Sequence, residues 1–181
     1  MSRRIYIVLA MFIVLCGTAL PAHAKQSQQE ILDTLNTTLQ TLSYSTQDPR
    51  SNFIDEWNNS YQFAVKGNHL IITYRLESTL FKGMERWSHH SETGTYRASL
   101  DLLSSASVFP FAQTHGIAII CNEKKRCFTQ EASAQIEQFG KIAPKTYSKS
   151  FYRVNLDLPE DLIEPTIDLL QELLSPSDIK D

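Results

Sequence analysis

Two runs of alternating residues meet at one turn, and that meeting constrains the fold more than any other feature of the chain. Tyr61, Phe63 and Val65 alternate with small or polar residues, as do Leu70, Ile72, Tyr74 and Leu76. Between them stands Lys66-Gly67-Asn68-His69. A period of two sends successive side chains to opposite faces of a strand, and Gly-Asn suits a two-residue hairpin turn. An antiparallel sheet with one apolar face is the starting point.

More strands follow. Tyr96, Ala98, Leu100 and Leu102 alternate, and so do Tyr152, Val154, Leu156 and Leu158. Gly116–Cys121 is a short apolar run, as expected of a strand buried on both faces, and Cys127–Thr129 is expected to pair back on it. Between Glu131 and Ser150 the pattern weakens, which reads as a loop with one helical turn. Helical spacing marks both ends of this region. Leu32, Leu35, Leu39 and Leu42 form one stripe from Gln28 onward, closed by a turn at Asp48-Pro49. Leu162, Ile163, Ile167, Leu170, Leu173 and Leu174 form another, with Pro165 bending or restarting the helix and Ser175-Pro176 ending it.

These elements predict an α+β domain: an N-terminal amphipathic helix, six or seven antiparallel strands in a bent sheet or barrel, and a C-terminal helix. Over roughly residues 58–175 the layout resembles a pleckstrin-homology-like barrel, a likeness of order that no family motif carries. That resemblance implies a terminal helix plugging one open end. The alternatives are a lipocalin-like barrel and a single antiparallel sheet backed by two helices.

The first 24 residues read as a cleavable secretory signal. Arg3 and Arg4 precede the apolar run Ile5–Leu15, and Ala22-His23-Ala24 supplies an A-x-A cleavage site. The run is too short for a membrane span of ~20 residues. The twin-arginine reading of Ser2-Arg3-Arg4-Ile5-Tyr6-Ile7 is the weaker rival because the n-region is very short and the core strongly apolar, and the lipid-attachment reading of Cys16 because Leu15 stands where a small residue belongs. Residues 25–181 then form a single exported domain, periplasmic or secreted, without an integral membrane segment.

Export changes the meaning of charge and cysteine. The full chain has 181 residues and a net charge of −3, and loss of Arg3 and Arg4 takes it to −5. That sign, with no recognition motif, excludes a general nucleic-acid binder. Cys121 and Cys127 remain, and in an oxidising compartment they read as one disulfide stapling a local hairpin. Two cysteines without a nearby histidine do not make a zinc site.

No nucleophile elbow, metalloprotease helix or phosphate-binding glycine loop is present, so no enzyme, metal or cofactor is predicted. His89-His90, with Glu85 or Glu92, would bind a metal or serve a hydrolase only from a loop, because neighbours on a strand face opposite ways. Glu85–Gly94 reads as a solvated polar loop, and His115 as a surface or edge histidine.

Two segments are candidate contact surfaces. Phe81, Met84, Arg86 and Trp87 form an aromatic loop that either folds inward as core, the preferred reading, or anchors a partner. Lys124, Lys125 and Arg126 form a basic hairpin tip, extended by Lys141, Lys145, Lys149 and Arg153, while Val154 to Asp181 is acidic. The functional expectation is an exported envelope binding or protein-interaction module without catalytic activity, whose partner is another envelope protein or a small ligand. The alternative is a carrier of a small apolar ligand, its cavity lined by Phe63, Ile72, Tyr74 and Val154.

Overall fold

The computed structural model describes residues 26–47, 52–111 and 114–175. The signal segment, the Asp48-Pro49 turn and the Pro176 stop lie outside the described residues. Helix α1 (Gln28–Leu39) leads into β1 (Leu42–Gln47), β2 (Phe53–Lys66), β3 (His69–Lys82) and β4 (Glu85–Ser99). A 3-10 turn at Leu100–Leu102 precedes β5 (Leu103–Phe111) and β6 (Thr114–Cys121), and another at Asn122–Lys124 precedes β7 (Phe128–Gln138). Then come β8 (Lys141–Phe151), β9 (Arg153–Asp157) and helix α2 (Glu160–Leu174).

The strands form two antiparallel sheets and no closed barrel. The larger has the order β1-β2-β3-β4-β7-β8 and the smaller β5-β6-β9. The domain is α+β, with an N-terminal and a C-terminal helix, but the barrel expectation is corrected: among the described residues nine strands, not six or seven, divide between two sheets. Because β5 and β6 separate β4 from β7, and β9 follows β8, the two sheets are interleaved along the chain.

The Gly67-Asn68 hairpin stands where the alternation puts it, joining β2 to β3 from Val65↔Leu70 to Tyr61↔Tyr74. Tyr61, Phe63, Leu70, Ile72, Tyr74, Ala98 and Phe128 line the inner face of the larger sheet at this end. They share one core with Ile117, Ile119, Val154 and Leu156 of the smaller sheet and with both helices. Phe63, Ile72, Tyr74 and Val154 are thus packed core residues.

Helix α1 starts at a capping box, with Ser27 and Glu30 each satisfying the other's backbone N–H. It ends at Leu39, so Leu42 belongs to β1 and not to the helical stripe. Past Asn59 the strand β1 no longer covers β2, and Asn36 takes its place. Its side chain donates to the Phe63 carbonyl at 3.0 Å and accepts from the Phe63 N–H at 2.6 Å. Helix α2 runs unbroken through Pro165 and packs on β5 and β6.

Three local expectations are corrected. Glu131–Ser150 is the β7–β8 hairpin, not a loop, and Glu85–Gly94 lies wholly in β4. Cys127–Thr129 does not pair with Gly116–Cys121, because β6 pairs β5 and β9 while β7 pairs β4 and β8. The Cys121–Cys127 disulfide, Cα atoms 5.8 Å apart, therefore ties the end of one sheet to the start of the other.

Candidate functional site

The larger sheet is longer than its cover. Strands β2, β3 and β4 have 14, 14 and 15 residues, against 5 for β9. From Leu76, the last β3 side chain packed against the core, to Gly83 the sheet runs on for roughly 23 Å. Toward its far end there are two tight hairpins: β3 turns into β4 at Gly83-Met84, and β7 into β8 at Phe139-Gly140, set back because Ser88 is the last β4 residue paired with β7, at Gln138.

Met84 is fully exposed, Phe139 is 68% exposed and Ile142 66%, and Ile136 is exposed beside them. Four of the seven large apolar side chains exposed among the described residues gather at this one end. The others, Leu102, Val108 and Tyr152, are scattered.

Phe139 is held in an unusual way. Its φ is 51° and that of Gly140 is 73°, the pair of left-handed residues a two-residue primed turn needs. Asn usually fills the first of those positions, because a large side chain there costs conformational energy. The Phe139 ring is met edge-on by Trp87 at 4.8 Å, and Trp87 meets Phe53 edge-on at 6.0 Å. Lys82 lays its ammonium over both Trp87 and Phe53, at 5.2 and 5.8 Å. Arg86 pairs with Glu137 across β4 and β7 and fixes the two hairpins together.

Of the expected contact residues, Phe81, Arg86 and Trp87 flank this tip and Met84 is its apex. The inward-folded reading is corrected for Met84. Trp87 sits in a small aromatic cluster outside the main core, brought there by a bulge after Leu80 that leaves it without a direct partner on β3. Phe53, Phe139 and Ile142 were missed. A Phe-Gly dipeptide between alternating runs was their one sequence signal, obscured because the flanking runs hold Ala, Ser, Gln and Lys.

The basic candidates lie elsewhere. Lys124 belongs to the 3-10 turn between the sheets, and Lys125 pairs with Glu123. Arg126 is exposed on the same connection, at the opposite end of β7 from Phe139, roughly 35 Å away. The segment is a crossing between sheets and not a hairpin tip. Lys141, Lys145 and Lys149 instead follow the outer edge of the larger sheet along β8, the last two over the Tyr147 ring.

His89 and His90 face opposite ways from β4. His89 Nδ1 lies 3.0 Å from Thr79 Oγ1, and His90 Nε2 lies 3.8 Å from Glu92 Oε2. Among the described residues no three His, Cys, Asp or Glu side chains gather as a metal site.

Against the core, the inner face of the larger sheet carries a polar hub. Tyr74 donates to Glu92 at 2.6 Å, and Gln130 donates to Tyr74, to Glu92 at 3.2 Å and to Tyr96 at 3.2 Å. Tyr74 stacks on Tyr96 with centroids 4.7 Å apart. Burial pushes the Tyr74, Tyr96 and Tyr147 hydroxyls up, Tyr96 to about 12, and the Glu92 charge adds to each rise. These phenols stay protonated at ordinary pH and serve as fixed hydrogen-bonding groups. Gly94, opposite Tyr74 in register, makes room for it: a Cβ there would stand 2.5 Å from the Tyr74 hydroxyl.

No helix among the described residues is long and apolar enough to cross a membrane. Comparison with protein-family models, curated proteins and solved structures finds no match, so the functional reading rests on the residues themselves.

Proposed function

We propose that the protein is an exported, non-catalytic binding module of the cell envelope that makes its contact through the far tip of its larger sheet. One observation carries the reading. Phe139 is held exposed in a left-handed turn, beside a fully exposed Met84, on a sheet that continues past any structural need to cover the core. Exposed apolar clusters of this kind mark interaction sites, and strained positions that persist concentrate where function maintains them. Export is supported by the leader segment, and the Cys121–Cys127 disulfide fits an oxidising compartment.

A photocrosslinking residue placed at position 84 in intact cells, with position 29 on the exposed face of α1 as control, tests this. The expected result is a specific adduct from position 84, of polypeptide or lipid, and none from position 29. Equal labelling from both would overturn it.

A further inference from the structure

We infer that the protein carries a binding site apart from the tip, one that takes an alkylammonium group: the charged end of a small amine or a lysine side chain of a partner protein. The site lies on the inner face of β1 and β2, at the border of the core. Asp55, Trp57, Asn59 and Tyr61 occupy alternate positions of β2 and so share that face. Tyr44 of β1 stands opposite Trp57 in register.

Three acceptor groups meet there without a donor. Asn59 is 2% exposed; its side-chain N–H donates to the Tyr44 hydroxyl at 3.2 Å, and its Oδ1 has no partner. The Oδ1 of Asp55 is buried and equally unpartnered. Asp157, at the end of β9, is held over the same face by its backbone N–H, which donates to the Tyr61 hydroxyl at 3.1 Å. Burial pushes the Tyr44 hydroxyl up, and the charges of Asp157 and Asp55 push it further, so both carboxylates stand near this hydroxyl. A buried acceptor normally has a donor, and a carboxylate withdrawn from water is costly unless paired. What satisfies this set must donate hydrogen bonds and carry positive charge.

Among the described residues no neighbouring cation does so. Lys82, on the same face, lays its ammonium over Phe53 and Trp87 and forms no ion pair with Asp55. His90 is turned to Glu92. Lys145 and Lys149 stand four strands from β2, over Tyr147, and Arg153 covers the Phe109 and Tyr152 rings. Glu92 across the sheet, and Glu160 and Asp161 in the first turn of α2, add to the negative side.

The kind of cation follows from the walls. Among the described residues no three His, Cys, Asp or Glu side chains gather to hold a metal ion. Tyr44 and Trp57 instead stack with centroids 6.2 Å apart and rings nearly parallel at 10°. They offer an aromatic wall to an alkyl chain and to the charge it bears. Strand β1 is the edge of the larger sheet, so no further strand closes the site on that side.

The test uses the exported form purified from cells in a Trp87→Phe background, which leaves Trp57 as the reporting tryptophan. It is titrated with cadaverine, with a short lysine peptide whose N-terminus is blocked, and with pentanol as the uncharged match. The expected result is a saturable change in Trp57 emission with cadaverine or the peptide, weakened by added salt, and none with pentanol. Asp157→Asn and Asp55→Asn should each weaken binding at least about tenfold. Both should keep or raise the melting temperature at neutral pH, because each removes a buried unpaired charge, so their loss of binding cannot be ascribed to unfolding.

Tighter binding of cadaverine assigns the site to a free amine, and tighter binding of the peptide assigns it to a lysine of a partner protein. No saturable response to either, an equal response to pentanol, or binding kept in both variants would overturn the inference. The tip is tested separately, by crosslinking from position 84, and stands or falls without this site.

Discussion

The two ends of the larger sheet obey different rules. At the Gly67-Asn68 end the inner-facing Tyr61, Phe63, Leu70 and Ile72 are buried in one core with the smaller sheet and the helices. At the Gly83-Met84 end the same strands continue without cover, held by ladder hydrogen bonds, one ion pair and an aromatic cluster. The near end secures the fold, and the far end spends conformational energy on exposure. Stability and contact are therefore separable along a single set of strands.

The sharpest test of that separation is a pair of substitutions. Phe128→Ala, at a fully buried site, should cost about 3–5 kcal/mol. Met84→Asp should leave stability within about 0.5 kcal/mol. Urea denaturation measures both, and equal losses would break the comparison. Next in size, Gly94→Ala forces a methyl against the Tyr74 hydroxyl and the Glu131 carbonyl, 2.5 and 2.7 Å away. It should cost about 3 kcal/mol, and pairing it with Tyr74→Phe should recover part of the loss.

Replacing Cys121 and Cys127 together by serine should cost about 2 kcal/mol, from the short closed loop. The loss should match that produced by reductant on the parent protein. Phe139→Asn should go the other way and stabilise by roughly 0.5–1 kcal/mol, a gain that the near end offers at no buried position.

Smaller still is an effect with a definite sign in pH. Burial raises the Asp157 carboxyl above the ordinary carboxylate range. The folded protein then keeps a proton that the unfolded chain has already released. Stability accordingly falls as pH rises from the ordinary value through the raised one, and the loss is complete above it. Asp157→Asn should raise the melting temperature at neutral pH and flatten that slope. A slope left unchanged in melts at acidic and neutral pH would exonerate Asp157.

What was legible in the residues follows the same division. The β2–β3 hairpin, the buried run of β6 and both helices are read from apolar periodicity because burial there selects apolar residues. Strand β7 is harder: its buried positions include Gln130, Ala132 and Ala134, small or polar where Tyr74 of β3, Tyr96 of β4 and Tyr147 of β8 occupy the space. Strand β8 is mostly exposed, so no alternation was selected. The pairing of Cys121 with Cys127 was legible from compartment and spacing, but its place between two sheets was not, since partner choice among strands is nonlocal. Met84 and Trp87 stood out by composition. Phe139 gained its meaning only when β4 and β7 became neighbours.

The interleaving of the sheets bears on how the chain matures. A chain delivered N-terminus first presents α1 through β4 as a meander of consecutive hairpins, which closes through local contacts and quickly. Strand β4 then has one open edge, and its partner β7 arrives only after β5 and β6 have emerged. Those two in turn await β9, the last strand made. Each sheet thus holds a vacancy that a later segment fills, and until then β4 offers a long edge able to recruit foreign strands. The 3-10 turn with its disulfide stands where the chain returns from the small sheet to finish the large one.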